Sequence, residues 1–282
     1  MGRNQIGIGF DFSDGKRDED FELFRNHKVK AKDLFSIHEI TELMAYEFVR
    51  KYHYLGDAKF LCMVAYGMYY DRTKEMVGCA TFSLPQGTSS LQGWFGLGND
   101  TKNVFELSRL CMLPELNGTN ATSYLLGGSI KELNRENSNI RERCKREGRK
   151  MTAEDYKCRA VITLACAQRH VGSIYQVCNF KYYGVADDKS DFFRYPDGKK
   201  NPRGKVSNWH GVWITREKKH RYAYILDRSL KCLYEEEPKP SRDDLILTDC
   251  CNGTNMVYDK RYGEWYTCPK CTGVLQKIEG RE

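Results

Sequence analysis

Val161–Gly184, VITLACAQRHVGSIYQVCNFKYYG, is the stretch whose reading decides the fold. Val161 to Cys166 is a short apolar, β-branched run that predicts a buried strand, and Ala167 to Val171 is a polar loop ahead of Gly172. From Ser173 to Cys178 the apolar positions Ile174, Tyr175, Val177 and Cys178 fall at helical spacing. Asn179 suits the cap, and Phe180 to Val185 is aromatic and alternating, so the segment reads strand, loop, helix, strand. A helix that opens behind a buried parallel strand turns its N–H groups and the positive end of its dipole towards the crevice above the sheet. Tyr175 stands there as a candidate for gripping a cofactor; the alternative is that Tyr175 and Phe180 are simply core.

Upstream, Ser36 to Lys51 predicts a helix with Ile37, Ile40, Leu43, Met44 and Phe48 on its apolar face and a capping box from Ser36 to Glu39. His53 and Tyr54 follow where the pattern stops. They read equally as a structural pair at a helix end or as a base, substrate clamp or metal ligand at a pocket mouth. Phe60 to Tyr70 and Met76 to Leu84 form a predicted hairpin, and Pro85 to Asp100 a loop. Val104 to Leu113 predicts a buried strand carrying Glu106, Ser108 and Arg109. A charge in such a strand costs several kcal/mol unless it is compensated, so Arg109 calls for a partner: Glu106, another carboxylate or a bound anion. Ala121 to Asn134 predicts a helix, and Asn120, Thr122 and Ser123 at its amino end suit an anion such as a pyrophosphate. The basic sequence up to Lys150 reads as an exposed arm. Downstream, Asp187 to Ser207 is a polar insert, and Asn208 to Thr215 with Tyr222 to Leu226 predicts a hairpin that closes the sheet. This order implies an α/β layered domain with a mixed sheet.

A chain of 282 residues suffices for one large core and a small appendage. No apolar run approaches the ~20 residues of a membrane span, and MGRNQIGIGFDF at the start has no continuous apolar stretch of the kind a secretory signal needs. The expectation is a soluble cytoplasmic protein with no membrane partner. Twelve cysteines without a secretory signal point to thiols or a metal site rather than disulfides. The formal charge of +7 suits an anionic partner. It gathers in Arg141–Lys150, Lys199–Lys205 and Arg216–Arg221, the later clusters interleaved with Phe192, Phe193, Tyr195, Trp209 and Tyr222. Each cluster alone reads as a solvated face; basic and aromatic residues together suit nucleic acid. The candidate contacts are Arg146, Lys150, Lys199, Lys200, Arg203, Lys205, Lys219 and Arg221. Residues 1–33 read as a mobile or loosely docked lead-in, 34–234 as the main domain and 235–244 as a charged, proline-bearing linker. Residues 245–282 read as a small zinc-ribbon-like module. There Cys268 and Cys271 have knuckle spacing and Cys250 and Cys251 are adjacent, which suggests four ligands for a structural zinc, or three with Asp249 or water.

The order of elements resembles the GNAT acyltransferase fold, a mixed, mostly antiparallel sheet flanked by helices. The residues resemble one branch of it, the Mom family of phage DNA-modification proteins. The likeness rests on Tyr52-His53-Tyr54, Leu107-Ser108-Arg109-Leu110, Ser123, His170-Val171-Gly172-Ser173-Ile174-Tyr175-Gln176, Phe180-Lys181-Tyr182-Tyr183-Gly184 and Lys219-His220-Arg221-Tyr222. It implies an enzyme of the host-cell cytoplasm that adds a carbamoylmethyl group to adenine N6 in double-stranded DNA, with acetyl-CoA as donor, shielding the DNA from restriction. It implies His53, Tyr54, Arg109, His170 and Tyr175 as catalytic residues, and Asn120, Thr122, Ser123 and Tyr175 as donor contacts. A base in duplex DNA must be extruded to react, for which Tyr54, Tyr175 and Trp209 are candidate holders; His53 or His170 would take the N6 proton. The chain departs from the family in two places. Asn117–Ser123 offers only Gly118 and Ala121 where a glycine-rich pyrophosphate run is usual, and Ala165 and Cys166 stand where an aspartate is usual. The alternatives are an N-acyltransferase acting on a small amine or protein, and an inactive zinc-ribbon DNA-binding protein.

Overall fold

The computed structural model describes residues 15–53, 60–85, 88–97, 103–166, 171–186, 190–194, 211–215, 218–249, 255–259 and 264–266. The chain divides into two compact units, Met1–Val161 with Ile225–Lys231, and Ile162–Tyr224 with Cys232–Glu282.

The first unit contains α1 (Gly15–Arg25), α2 (Ala31–Leu34), β1 (Phe35–Ile40), α3 (Glu42–Tyr52), β2 (Val64–Tyr70) and β3 (Glu75–Ser83). These are followed by α4 (Thr88–Phe95), β4 (Val104–Met112), a 3-10 turn at Pro114–Leu116, α5 (Ala121–Leu133), α6 (Arg135–Arg146) and the start of β5 (Ala160–Cys166). In the second lie α7 (Ser173–Val177), β6 (Lys181–Val185), β7 (Ser190–Arg194), β8 (Gly211–Thr215) and β9 (Lys219–Ile225), then β10 (Leu245–Asp249), β11 (Asn255–Asp259) and β12 (Glu264–Tyr266). Seven strands form one sheet in the order β1-β2-β3-β4-β5-β9-β6. The pairings β1–β2, β2–β3, β3–β4 and β6–β9 are antiparallel. The architecture is therefore the mixed α/β sheet with flanking helices that the resemblance implies.

In the first unit the helices lie on both faces of the sheet. Gly128 of α5 comes so close to the side chain of Ile37 in β1 that a Cβ there would collide with it. Arg109 belongs to the other face, with Thr81 opposite it in register, and the end of α3 meets it there. Each face buries a row of alternate strand residues, as period-two strands require.

Several expectations are corrected. The helix read over Ser36–Lys51 is a strand and then a helix: Phe35–Ile40 alternates and pairs with β2. α3 is capped by Thr41, whose Oγ1 accepts from the Met44 amide at 3.3 Å. The lead-in is docked through α1, with Phe21 and Phe24 buried and packed edge-on against Tyr70 and Phe35 respectively. The loop over Pro85–Asp100 contains α4, which buries Trp94 and Phe95. The basic arm is largely α6, with Cys144 buried. The closing hairpin is not formed as expected, because β8 pairs with β7 in a separate two-stranded sheet while β9 enters the main sheet beside β6. The linker packs along β6: the Glu237 amide donates to the Tyr182 carbonyl at 3.0 Å and Lys181 pairs with Glu236 at 2.6 Å. The eight cysteines among the described residues are free thiols. Among those residues no helix is long and apolar enough to cross a membrane.

Candidate active site

The first unit assembles its polar centre where α3 ends and β3 meets β4. His53 is the residue that ends α3, its amide bonded to the Val49 carbonyl at 2.8 Å. Along β4 the register slips: Thr81 faces Arg109 and Phe82 faces Leu107, so Ser108 is an extra residue in a β-bulge. A bulge bends the strand and takes one residue out of the ladder. Ser108 uses its hydroxyl to bond Ser83 Oγ at 2.7 Å, and its carbonyl accepts from Arg109 Nη1 at 2.6 Å. The Arg109 guanidinium lies over the ring of Phe60, 5.0 Å from its centroid. Phe60 is itself stacked on Tyr46 of α3 at 4.3 Å, and Tyr46 donates its hydroxyl to the Phe60 carbonyl. The partners of Arg109 thus include a backbone carbonyl and an aromatic face rather than a carboxylate alone. Thr81, fully buried beside it, has no hydrogen-bond partner for its hydroxyl among the described residues.

This setting controls His53. Burial first, and then the positive charge of Arg109, push its pKa down from 6.5 to about 4. At neutral pH the imidazole is uncharged, an acceptor rather than a cation.

The turn after β4 leads to the second group of predicted residues. Pro114–Leu116 forms the 3-10 turn and Gly118 holds φ +79°, which only glycine adopts without strain. Asn120 is then the N-cap of α5. Its side chain makes no capping bond, and no carboxylate stands in the first turn. Ser123 Oγ donates to the Asn120 carbonyl at 2.8 Å. The first-turn amides of a helix lack intrahelical acceptors; here the Ala121 amide donates to Thr119 Oγ1 at 3.2 Å, and the 13-residue helix carries the positive end of its dipole at Asn120, Thr122 and Ser123.

In the second unit Tyr175 lies between Tyr222 and Phe180, with ring centroids at 5.4 and 5.7 Å. Gln176, which the sequence reading named in the resemblance but gave no role, is the organising polar group. Its Nε2 lies 3.0 Å from the Val171 carbonyl, 3.1 Å from Tyr222 Oη and 2.9 Å from the Pro240 carbonyl. Tyr222 donates its hydroxyl to the Val171 carbonyl, and Tyr182 pairs with buried His220 at 3.0 Å. The dipole argument for this helix is corrected: α7 is five residues long, a single turn, and its residues serve an aromatic core.

Of the candidate DNA contacts, Arg146, Lys150 and Lys219 are exposed, whereas Arg221 is stacked on Tyr234 at 4.1 Å. Tyr54, His170, Lys199, Lys200, Arg203, Lys205 and Trp209 lie outside the described residues, as do Cys250, Cys251, Cys268 and Cys271. Among the described residues no three His, Cys, Asp or Glu side chains gather as a metal site. The structure therefore brings His53 and Arg109 together and adds Phe60, Ser83, Ser108 and Thr81 to them. Ser108 stood in the strand read from the sequence, but its bond to Ser83 and the place of Phe60 escaped that reading because a bulge leaves no compositional mark.

Residues 34–142 match the Mom protein family model. The Mom-matching segment runs from the end of α2 into α6 and carries His53, Arg109, Asn120, Thr122 and Ser123. No curated protein matches the chain. Similar solved structures include a GNAT family acetyltransferase from Elizabethkingia anophelis with acetyl-CoA bound. It is 14% identical over 69% of this chain and 99% of that one, with a TM-score of 0.35. Another is the ribosomal-protein-S18-alanine N-acetyltransferase from Escherichia coli, 12% identical over 72% of this chain and 100% of that one, with a TM-score of 0.36.

Proposed function

We propose that this protein is an acetyl-CoA-dependent transferase of the Mom kind that places a carbamoylmethyl-type group on adenine N6 in double-stranded DNA, protecting it from restriction. The observation that carries the reading is the coincidence of the Mom-matching segment with the His53–Arg109 centre and the α5 terminus in one folded unit. The residues fit the donor: a pyrophosphate suits an α5 end with no carboxylate in its first turn. Asn120, Thr122 and Ser123 would hold it there. When bound, acetyl-CoA would supply an activated two-carbon unit; acyl transfer to the amine alone leaves an acetyl group, and a carbamoylmethyl product requires in addition an ammonia-level nitrogen donor and a two-electron oxidant as co-reactants.

The chain's own groups divide the remaining work. The bulge at Ser108 bends β4 beside Arg109, and the Ser108 hydroxyl bonds Ser83 Oγ there. Arg109, fixed by Phe60 and the Ser108 carbonyl, counters developing negative charge. Neutral His53 would accept a hydrogen bond from the amine and orient it; burial first and Arg109 second keep the imidazole uncharged for that role. Exposed Arg146, Lys150 and Lys219 supply phosphate contacts.

The ribbon module is read as a structural zinc site on topological grounds. β10 and β12 both pair antiparallel with β11, so they run the same way and end at the same edge. Cys250-Cys251 follows β10 directly in sequence, and Cys268 follows β12 after Thr267.

The test is mass spectrometry of nucleosides from plasmid DNA after expression of the wild-type chain and of Arg109→Ala. A deoxyadenosine heavier by the carbamoylmethyl increment, absent with the variant, is expected; an acetyl increment would keep the transferase and change the chemistry. Unmodified DNA from well-expressed protein would overturn the reading. Metal content of the same purified protein, expected to be one zinc per chain, checks the ribbon.

A further inference from the structure

We infer that α1, which precedes the Mom-matching segment, is a brace for the turn between β4 and α5 and so positions the donor-binding end of α5. The inference rests on the donor reading above. α1 is polar along most of its length, yet Arg17 is only 5% exposed. Burying a guanidinium is costly unless its charge is met. Here Nε lies 3.5 Å from Glu75 of β3 and Nη2 lies 4.0 Å from Glu115 of the 3-10 turn. At the other end of α1, Arg25 Nε donates to the Glu115 carbonyl at 3.1 Å. The same residue of the turn is thus held from both ends of one helix. The helix is held to the sheet independently, by Phe21 and Phe24 against Phe35 and Tyr70 and by Asp20, which accepts from Tyr70 Oη at 2.5 Å and pairs with Arg72 at 3.1 Å. Beyond Glu115 the chain has buried Leu116 and then only the short Gly118-bearing connection before Asn120. Displacement of Glu115 therefore carries over to Asn120, Thr122 and Ser123.

Exposed Arg25 can be changed without opening the core. In calorimetric titration of the full chain with acetyl-CoA, Arg25→Ala should weaken binding about fivefold, the factor that one modest hydrogen bond carries. Amide hydrogen exchange over residues 114–123 should quicken while the melting temperature stays near wild type, and Arg25→Lys should recover part of both losses. Arg135→Ala, which cuts a surface pair at the far end of α5, should alter neither. Unchanged affinity and exchange in Arg25→Ala would overturn the brace and leave the donor reading standing. A wild-type chain that does not bind acetyl-CoA would overturn the donor role, and exchange alone would then decide whether α1 holds the turn.

Discussion

His53 carries the sharpest consequence at the scale of single residues. Its folded pKa of about 4 lies below its ordinary 6.5, so the folded chain binds fewer protons than the unfolded chain between those values. The stability this contributes is fully present above pH 6.5 and is lost as the pH falls through about 4. Melting temperature should therefore decline between those limits in the wild type, and less steeply in His53→Gln. Arg109 is the second cause of the shift and burial the first, so in Arg109→Ala the His53 titration followed by NMR should rise yet stop short of 6.5. An unmoved titration would mean that the two side chains do not sense each other. The sequence displayed both residues as candidates because each interrupts an apolar pattern. It concealed their relation, which depends on a bulge and on Phe60, and a register slip is decided by pairing rather than by composition.

Among the elements, the strand, loop, helix and strand of Val161–Gly184 were legible from periodicity and appear as β5, α7 and β6. What periodicity could not give was the role of Gly172. It holds φ +68° against the rings of Tyr222 and Tyr175, and Tyr222 is pinned by its bond to Val171. Gly172→Ala adds a positive-φ penalty to a steric one and should cost about 2–3 kcal/mol, read as a lower midpoint in urea unfolding. A change below about 0.5 kcal/mol, within the range of ordinary surface substitutions, would show that Tyr222 can yield. Phe35–Ile40 was misread because its apolar residues satisfy both periods; Thr41, which takes the cap, sets the boundary. β9 was misplaced because sequence neighbours favour a hairpin, whereas Tyr182 and Tyr222 face each other in the β6–β9 pairing and bury both rings.

For the molecule as a whole, composition foretold a thiol-rich basic chain and the element order foretold the mixed sheet. The division between the units is different in kind, since Ile225–Lys231 returns to the first unit after the chain has built β9 in the second. The return is locked by Asp227, 2% exposed, on Arg159 Nε at 3.0 Å, while the Leu226 and Asp227 amides both donate to the Arg159 carbonyl. Burial raises the Asp227 pKa, but the Ser229 hydroxyl and amide and the Arg159 guanidinium outweigh it and hold the carboxylate ionised. Asp227→Asn leaves a buried cation uncompensated and should cost about 3–5 kcal/mol, measured by denaturant unfolding; a loss under about 1 kcal/mol, the worth of an exposed pair, would show that solvent reaches the site. Synthesis on the ribosome gives this return another meaning. The first unit emerges early, yet its latch is made only after the whole of β9 has been translated, so closing it must wait for a contact between residues distant in sequence. A message cut short before Asp227 would yield a product with Arg159 uncovered and, where it stops within Lys219–Ile225, with β9 incomplete as well, the kind of exposed surface that chaperones and proteases recognise. The latch therefore makes closure of the first unit a late event of synthesis.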